Sequence, residues 1–395
     1  MFSLPVIEKI SKIALFGMIF FIPFSNATTE ICCGILLLFI LIDKCRRPDF
    51  KPLAWPGIWV LIVFILLCAV SLFNSGTYMS QSLHALFLKW IKYILVFLAL
   101  PLVLRKREDA EQAVGWFLIS ASIVVFDAII QKCFGFDLLR HRPIALAQMD
   151  GHNFSALTAN FKHYNGLGAY LVVVLLMVLA LLVSGRQIWR KRLLVLAGFL
   201  CIVFVLTYSR GAWVGFGAGL LVMMFLSRKY LSVLSLAGIL AAVMLLCHGS
   251  VSRVLSIFIP GGDSSRYEYW QNTLLLIKQH PFIGQGIGTF MGRLHEQSPF
   301  LIPIYAHNCY LQIWAETGIF SLLAFVVFLG CVLFRACRVY RKSADPVLLG
   351  AVCGLSAFLV HAFFDNHLYS LALAFVFWVM LGFVVTFSDQ DVSNR

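Results

Sequence analysis

The sequence predicts an all-α polytopic membrane protein, and three observations point to that fold class. The 395 residues are 61% hydrophobic and 12% charged, and their mean hydropathy of +0.90 exceeds that of soluble globular domains. Apolar runs that are long enough, or nearly long enough, to span a bilayer recur along the chain. Basic residues concentrate in the short connections between these runs. We therefore expect a single integral membrane domain covering residues 1–395.

Twelve apolar runs define the predicted transmembrane helices. The first follows Lys9 and Lys12 and continues into the second without a small-residue cleavage site, so we expect a retained helix rather than a signal peptide. The shortest runs need flanking residues to complete a span. In chain order the runs lie at 13–24, 29–42, 58–73, 83–104, 113–131, 166–184, 193–208, 211–226, 231–247, 309–334, 347–364 and 368–387.

The distribution of basic residues predicts the orientation in the membrane. Of the 31 Lys and Arg residues, 20 lie in connections on the side of the chain termini, 9 lie on the opposite side, and Lys89 and Lys92 lie inside the fourth run. Basic short loops stay in the cytoplasm, so both termini are predicted to be cytoplasmic. The net charge of +13 therefore reflects topology, and we expect no nucleic acid partner. Lys89 and Lys92 either line a cavity or reach for the membrane boundary, and the sequence leaves both open.

Two outward-facing segments are too polar to lie in lipid. Residues 248–308, between the ninth and tenth runs, are predicted to form a helical periplasmic cap, and residues 132–165 a second periplasmic loop. The other outward connections, at 25–30, 74–82 and 365–367, have the length of plain turns. Since the chain contains no nucleotide-binding motif, group transfer on this side requires a pre-activated donor. A lipid-linked donor that reaches the outer leaflet satisfies that requirement.

Arg210 is the first candidate binding residue. Almost no residues connect the seventh run to the eighth, and Arg210 follows Tyr208 in this short connection. An arginine at the membrane boundary is costly without a partner. It either extends to the lipid headgroups or binds an anion such as a diphosphate, which suits the guanidinium fork. We favour the diphosphate because Arg210 is the only outward-side basic residue in any of the tight turns.

Arg266 is the second candidate for binding an anion. It follows Asp263-Ser-Ser, a strong N-cap sequence that predicts the start of a short helix with Trp270 one turn on. An ion pair with Asp263 or Glu268, or simple solvation, is an equally good interpretation. Composition does not separate Arg266 from three other basic residues of the same segment, which are Arg253, Lys278 and Arg293.

His307 is the candidate general base. It immediately precedes the tenth apolar run, and a histidine at such an entrance suits the removal of a proton from a sugar hydroxyl. Taken alone, a hydrogen-bonded structural histidine is the commoner role. Asn308 suits the N-cap of the following helix. Glu316 lies further along the same run and either orients a neighbour or pairs with a buried arginine.

Other motifs exclude several site types. Gly284, Gly286 and Gly288 do not follow a strand in a βαβ unit, which argues against a dinucleotide-binding loop and predicts a tight turn packed against the cap. The eleven cysteines show no CxxC spacing, and no cluster with metal-ligand spacing is evident. We therefore expect neither a cofactor nor a metal requirement.

Taken together, four motifs resemble the O-antigen ligase and polymerase superfamily. They are Tyr-Ser-Arg-Gly-Ala-Trp at 208–213, Arg266 followed by Trp270, Pro-Phe-Ile-Gly-Gln-Gly-Ile-Gly-Thr-Phe at 281–290, and His-Asn-Cys-Tyr-Leu-Gln-Ile-Trp-Ala-Glu-Thr-Gly at 307–318. The motif-bearing part covers roughly residues 160–335. Each motif is weak alone, but the combination is specific for the superfamily.

The resemblance implies a GT-C-like fold in the bacterial inner membrane. It also implies an inverting glycosyltransferase that needs neither metal nor ATP, with an active site that faces the periplasm. Ligases of this superfamily move a glycan from undecaprenyl diphosphate to a sugar hydroxyl of lipid A-core during lipopolysaccharide assembly. Carried over to this chain, Arg210 and Arg266 bind the donor diphosphate and His307 is the general base. The expected partners are the lipid-linked glycan, the lipid A-core acceptor and membrane lipids. Candidate pocket residues are Tyr208, His163, Tyr164, Asn165, Asn308, Glu316, Arg140 and Arg142.

Two other functions remain open at the level of the sequence. Polymerases share these motifs and use a second lipid-linked repeat unit as acceptor, although one prominent late outward loop favours a ligase. A twelve-helix transporter of lipid-linked glycans is the alternative from another class. Carriers need polar access from both sides of the membrane, whereas the polar candidates here face outward.

Overall fold

The computed structural model describes residues 3–50, 53, 55, 57–149, 152–184, 190–247, 249–255, 264–302 and 304–393. The α-helices are α1 (Leu4–Phe21), α2 (Asn26–Arg46), α3 (Gly57–Val70), α4 (Met79–Ala85), α5 (Lys92–Val103), α6 (Arg107–Phe134), α7 (Tyr164–Val183), α8 (Arg190–Val205), α9 (Arg210–Ser227), α10 (Tyr230–Leu246), α11 (Ser250–Leu255), α12 (Ser264–Gln279), α13 (Phe290–Gln297), α14 (Cys309–Thr317), α15 (Ile319–Ser343), α16 (Pro346–His361) and α17 (Leu371–Ser393). Strands β1 (Ala145–Met149) and β2 (His152–Ala156) pair as an antiparallel hairpin. A π-helical segment, Leu86–Ile91, joins α4 to α5, and 3₁₀ turns occupy Ser71–Asn74, Gly76–Tyr78 and His367–Tyr369.

The helices confirm a multi-pass membrane protein. Within the described residues, seven helical segments are long and apolar enough to cross a bilayer, namely Gly57–Asn74, Gly76–Val103, Arg107–Phe134, Tyr164–Val183, Arg210–Ser227, Ile319–Ser343 and Leu371–Gln390. Helices α10 and α16 are apolar but shorter. The count of twelve spans, the GT-C-like arrangement and the periplasmic position of the cap stay predictions.

The run expected at 309–334 is wrong in its first part, because the structure divides it into α14 and α15. The division occurs at Gly318, whose φ of 84° lies in the left-handed region that favours glycine. A Cβ at this position would lie 2.0 Å from the carbonyl oxygen of Phe282. The chain therefore bends where the glycine turn of the cap approaches it, and α14 lies outside the span formed by α15.

Close packing at the centre of the bundle determines where Arg210 lies. Helix α16 packs against α7 and α9, and nearly all of α7 is buried. Glycines spaced four residues apart on α9 permit this approach, since a Cβ on Gly215 would lie 2.5 Å from the carbonyl oxygen of Ala357. At the start of α9, a Cβ on Gly211 would lie 2.6 Å from Cδ2 of His361. This glycine face therefore seats Arg210 beside the end of α16.

The two ends of the bundle differ in chemistry. At the end that carries the start of α1, ion pairs join α1 to α6 and α6 to the start of α16, and they include Lys12–Asp109 at 2.6 Å and Arg107–Asp345. At the other end, the starts of α7, α9 and α14 approach residues 361–369. The candidate residues collect at this second end because each of these helices begins there.

The described part of the cap segment 248–308 contains α11, α12 and α13. Residues 248, 256–263 and 303 lie outside the described residues, and with them Asp263 of the predicted N-cap. Helix α12 has 16 residues, so it is longer than the short helix that the sequence predicted. The polar character of the segment is thus carried by helices and their connections.

The glycine motif forms a tight turn, as the sequence predicted, and packs against α14. The backbone N–H of Gln285 donates to the carbonyl oxygen of Ala315 at 2.8 Å, and that of Gly286 donates to the carbonyl oxygen of Glu316 at 3.0 Å. Gly284 approaches so closely that a Cβ there would lie 2.3 Å from the Glu316 carbonyl. The turn therefore ties the cap to the helix that follows His307.

Candidate functional site

His307 is held in an unusual backbone conformation at the entrance to α14. Its φ is +51°, in the left-handed region that costs a non-glycine residue about 1–2 kcal/mol. Strained residues persist where the surrounding structure determines them, and they cluster at functional sites. The imidazole is 30% exposed, so it remains accessible from outside. The position combines a constrained backbone with a partly exposed imidazole ring.

His307 forms a pair with Asp365. Its Nδ1 atom lies 3.4 Å from Oδ1 of the carboxylate, which is within ion-pair range but long for a well-formed hydrogen bond. Burial by itself raises the pKa of Asp365, but contact with His307 and the nearby imidazoles of His367 and His361 outweigh it and hold that pKa well below its usual range. Asp365 is therefore a carboxylate at neutral pH. With Nδ1 facing this charge, Nε2 is the nitrogen left for an incoming hydroxyl.

Backbone contacts fix this pair. Asn308 caps α14, because its Oδ1 accepts from the N–H groups of Tyr310 at 2.9 Å and Leu311 at 3.0 Å. The N–H of Asn308 donates to Oδ1 of Asn366 at 3.0 Å, and the N–H of Cys309 donates to the carbonyl oxygen of Ala362 at 2.9 Å. Residues on both sides of Asp365 are thereby joined to the residues that follow His307.

Helix α12 brings Arg266 to the same place. The ring of Tyr269 packs edge-on to His307 with a centroid separation of 6.0 Å, and Trp270 packs on Phe363 at 5.9 Å. Arg266 lies one turn earlier on the helix and is partly buried. Its charge acts on the imidazoles of the site, and those of His361 and His367 are among them. The structure thus distinguishes Arg266 from the exposed Lys278, which composition alone did not.

His163 lies in the same cluster of side chains as His307, Asp365 and Arg266. It caps α7, with Nδ1 accepting from the N–H of Asn165 at 3.2 Å. Burial lowers its pKa, while Asp365 opposes that shift, and His307 and Arg266 add to it. These mutual effects place His163 within electrostatic reach of all three. The imidazole of His163 is consequently neutral and borders the site.

The turn before α9 joins this cluster through two contacts. Oγ of Ser209 donates to Oδ1 of Asn165 at 2.8 Å, which connects the start of α9 to the start of α7. The buried Arg253 donates through Nε to the carbonyl oxygen of Tyr208 at 3.2 Å. Tyr208 has a left-handed φ of 53°, so the backbone of this turn is constrained in the same way as the backbone of His307. Arg253 therefore holds the backbone of the turn two residues before Arg210.

Tyr164, the first residue of α7, lies beside His163, with ring centroids 4.0 Å apart. The structure brings together nine of the eleven candidate residues, either in the cluster itself or in the network that joins it to α14. They are His163, Tyr164, Asn165, Tyr208, Arg210, Arg266, His307, Asn308 and Glu316. Arg140 and Arg142 are the other two.

Arg140 and Arg142 make their contacts elsewhere. Arg140 donates through Nη2 to the carbonyl oxygen of Phe24 at 3.0 Å, and Arg142 approaches the carbonyl oxygen of Asn160 at 3.5 Å. The carboxylate of Asp137 accepts from the backbone N–H groups of both arginines. These contacts hold the second outward segment against the turn between α1 and α2.

Glu316 connects the glycine turn to the neighbours of His307. Its Oε2 accepts from the N–H of Gly288 at 2.9 Å, and its Oε1 accepts from Nε2 of Gln312 at 3.2 Å. Oε1 of Gln312 in turn accepts from Nδ2 of Asn366 at 2.6 Å, whose side chain also binds the N–H of Asn308. Of the two roles left open for Glu316, these contacts favour orientation of its neighbours over pairing with an arginine.

The two lysines inside the fourth predicted run differ in surroundings. Lys92 pairs with Glu30 and lies 5.0 Å from the ring centroid of Tyr93. Lys89 acts electrostatically on Glu316 from the π-helical segment. Lys92 is therefore held by an ion pair with the start of α2, whereas Lys89 is exposed and lies within electrostatic reach of Glu316.

The expectation that residues 365–367 form a plain turn is wrong. Asp365 pairs with His307, and His367 is 2% exposed against His361, with ring centroids 4.1 Å apart. Burial lowers the pKa of His367 to about 4, so this imidazole is neutral at physiological pH. The signal that sequence reasoning missed is the spacing His361, Asp365, His367 at the outward end of an apolar run.

This arrangement combines an imidazole, a carboxylate that faces it at 3.4 Å, and the charge of Arg266 within electrostatic reach of the site. Such a set can take a proton from a hydroxyl while stabilising negative charge on a departing group. The model of the family described as O-Antigen ligase matches residues 195–326, a range that includes Arg210, Arg266 and His307. No curated protein matches the chain.

Proposed function

We propose that this chain, whose residues 195–326 match the family described as O-Antigen ligase, transfers a glycan from undecaprenyl diphosphate to a sugar hydroxyl of lipid A-core. The reaction takes place at the periplasmic face of the inner membrane and inverts the configuration at the anomeric carbon. The observation that carries this proposal is the His307–Asp365 pair at 3.4 Å beside Arg266 and the start of α9. A donor held by guanidinium groups and an acceptor activated by a base require this set.

The base acts on the acceptor. Nε2 of His307 takes the proton of the attacking hydroxyl, whose oxygen forms the new bond to the anomeric carbon. The bond from that carbon to the diphosphate oxygen breaks, and undecaprenyl diphosphate leaves with the electron pair. Asp365 stabilises the imidazolium formed at His307, in the way that a buried carboxylate supports a histidine base in hydrolases. The proton is then released to solvent, and the transfer reaction consumes no nucleotide and uses no metal ion.

The arginines act on the donor. A diphosphate leaving group gains negative charge as the glycosidic bond breaks, and preorganised cations stabilise that charge most in a partly desolvated site. Arg210 and Arg266 supply planar forks that match phosphate oxygens. Arg253, which holds the Tyr208 carbonyl, positions the turn that presents Arg210. Neutral His163 and His367 add no competing positive charge to the acceptor side.

The proposal is tested with purified protein in detergent and no membrane gradient. Undecaprenyl-diphosphate-linked glycan is supplied with lipid A-core or with donor alone, and products are resolved by mass. We expect one glycan joined to lipid A-core. Longer glycan on the lipid carrier, with donor alone, would instead identify the polymerase reaction, and absence of any product with retained donor binding would support a transporter.

Replacing Arg210 by lysine is expected to lower the rate of transfer about 10- to 100-fold, because a point charge does not reproduce bidentate contacts worth roughly 1.5–3 kcal/mol. The loss should appear with the donor at saturation, since charge on the diphosphate grows in the transition state. Arg142→Lys serves as the matched control on the same side of the protein and should change the rate less than about twofold. Wild-type rates for Arg210→Lys would show that this arginine only reaches for lipid headgroups.

A further inference from the structure

Three side chains at the end of α16 have the composition of a metal site. His361, Asp365 and His367 each offer one ligand atom, and these atoms lie within 4.8 Å of one another. A four-coordinate zinc ion with bonds of about 2.1 Å needs its ligand atoms roughly 3.4 Å apart. The three atoms therefore need to approach one another by at most about 1.4 Å to surround an ion.

Two buried nitrogens of this cluster lack a hydrogen-bond partner. His361 is 1% exposed and His367 is 2% exposed. Neither Nδ1 of His361 nor Nε2 of His367 has a partner among the described residues. Leaving a buried polar atom unsatisfied costs about 1–3 kcal/mol, so a bound cation would satisfy atoms that the protein alone leaves unpaired.

The ligand types select the ion. Two imidazole nitrogens and one carboxylate oxygen suit zinc, cobalt or nickel, whereas magnesium and calcium prefer oxygen ligands. Three protein ligands leave a further position for water.

We propose that His361, Asp365 and His367 bind a divalent transition metal ion of the zinc type, and that its binding inhibits glycan transfer. Inhibition follows from the shared ligand. Asp365 lies 3.4 Å from Nδ1 of His307, and a carboxylate bound to a dication no longer stabilises positive charge on that imidazole. The ion is thus a regulator at a site whose chemistry proceeds without it.

Binding is measured first, independently of transfer. Chelator-treated protein in detergent is titrated with Co²⁺, and the visible absorption bands of the bound ion report its coordination by nitrogen and oxygen. We expect one Co²⁺ per chain and displacement of the bands by Zn²⁺. His367→Ala and Asp365→Asn should each weaken binding at least about tenfold, as loss of a ligand or its support does in known metal sites.

The controls separate this site from adventitious binding. His295 is exposed on α13, and His295→Ala should bind Co²⁺ as the wild type does. Asp365→Asn preserves side-chain volume, so it remains informative if His367→Ala does not fold. Absence of the Co²⁺ bands, or bands unchanged in both variants, would overturn the site, and it would leave the proposed transfer reaction untouched.

Inhibition is measured separately in the transfer assay. Addition of Zn²⁺ at the concentration that saturates the site should reduce the wild-type rate, and a chelator should restore it. The concentration for half inhibition should match that for half displacement of Co²⁺. Saturated binding with an unchanged transfer rate would overturn the regulatory part of the proposal.

Discussion

Replacing His307 by asparagine is expected to lower the rate of glycan transfer by about 10²–10⁴-fold, the range that general base catalysis supplies. Asparagine tolerates the left-handed backbone conformation better than most residues, so the φ of +51° is kept. It offers no group that takes a proton at neutral pH. The measurement is the initial rate at saturating donor and acceptor, together with the thermal unfolding midpoint of the purified protein in detergent.

A second substitution at this position separates structure from chemistry. Because glycine enters the left-handed region freely, His307→Gly relieves strain of about 1 kcal/mol and should leave the unfolding midpoint equal to or above that of the wild type, yet abolish transfer. His295→Ala, an exposed histidine of the same cap segment, should keep both properties. Transfer by His307→Gly within tenfold of the wild-type rate would remove His307 as the base.

Replacing Asp365 by asparagine is expected to reduce the turnover number by about 10²-fold or more. The amide can donate to Nδ1 of His307, which moves the ring proton to Nε2 and leaves no lone pair toward the acceptor. It also removes the negative charge that stabilises the imidazolium. Since neither donor nor acceptor contacts Asp365 in this mechanism, KM for both substrates should change less than about threefold.

The matched control for Asp365→Asn is Glu268→Gln. Both replace a carboxylate by an amide of equal size, but Glu268 is exposed on the outer part of α12. Its kinetics should remain those of the wild type. A proportionate rise in KM with an unchanged turnover number for Asp365→Asn would mean that the carboxylate binds substrate, and the pairing with His307 would then have no catalytic role.

The membrane-protein class was predictable because the hydropathy of a segment depends only on the residues of that segment. Seven helices of the described residues satisfy the criteria for a span, and the runs that predicted them need only local composition. The same holds for Asn308, whose N-cap role depends on neighbours two and three residues away. The resemblance to the O-antigen ligase family was also visible in the sequence, since the motifs that carry it are short and contiguous, as in residues 307–318.

Asp365 and His361 were missed because their importance depends on contacts across the bundle. Asp365 is separated from His307 by three helices of sequence, α14, α15 and α16, and no periodicity connects them. Gly211 presented the same difficulty, since its value lies in the absence of a Cβ beside His361. The pocket role of Arg140 and Arg142 stays a prediction, and the contacts that the structure gives these side chains hold their own loop.

The sequence by itself determined that this chain is a multi-pass membrane protein, and it predicted that histidine and arginine residues near a few helix ends carry its chemistry. Only the tertiary structure decided which carboxylate accompanies His307 and which guanidinium groups stand near it. The physical reason is the range of the interactions. Burial in lipid is set by the composition of each segment, whereas a contact at 3.4 Å depends on how α9, α14 and α16 pack against one another.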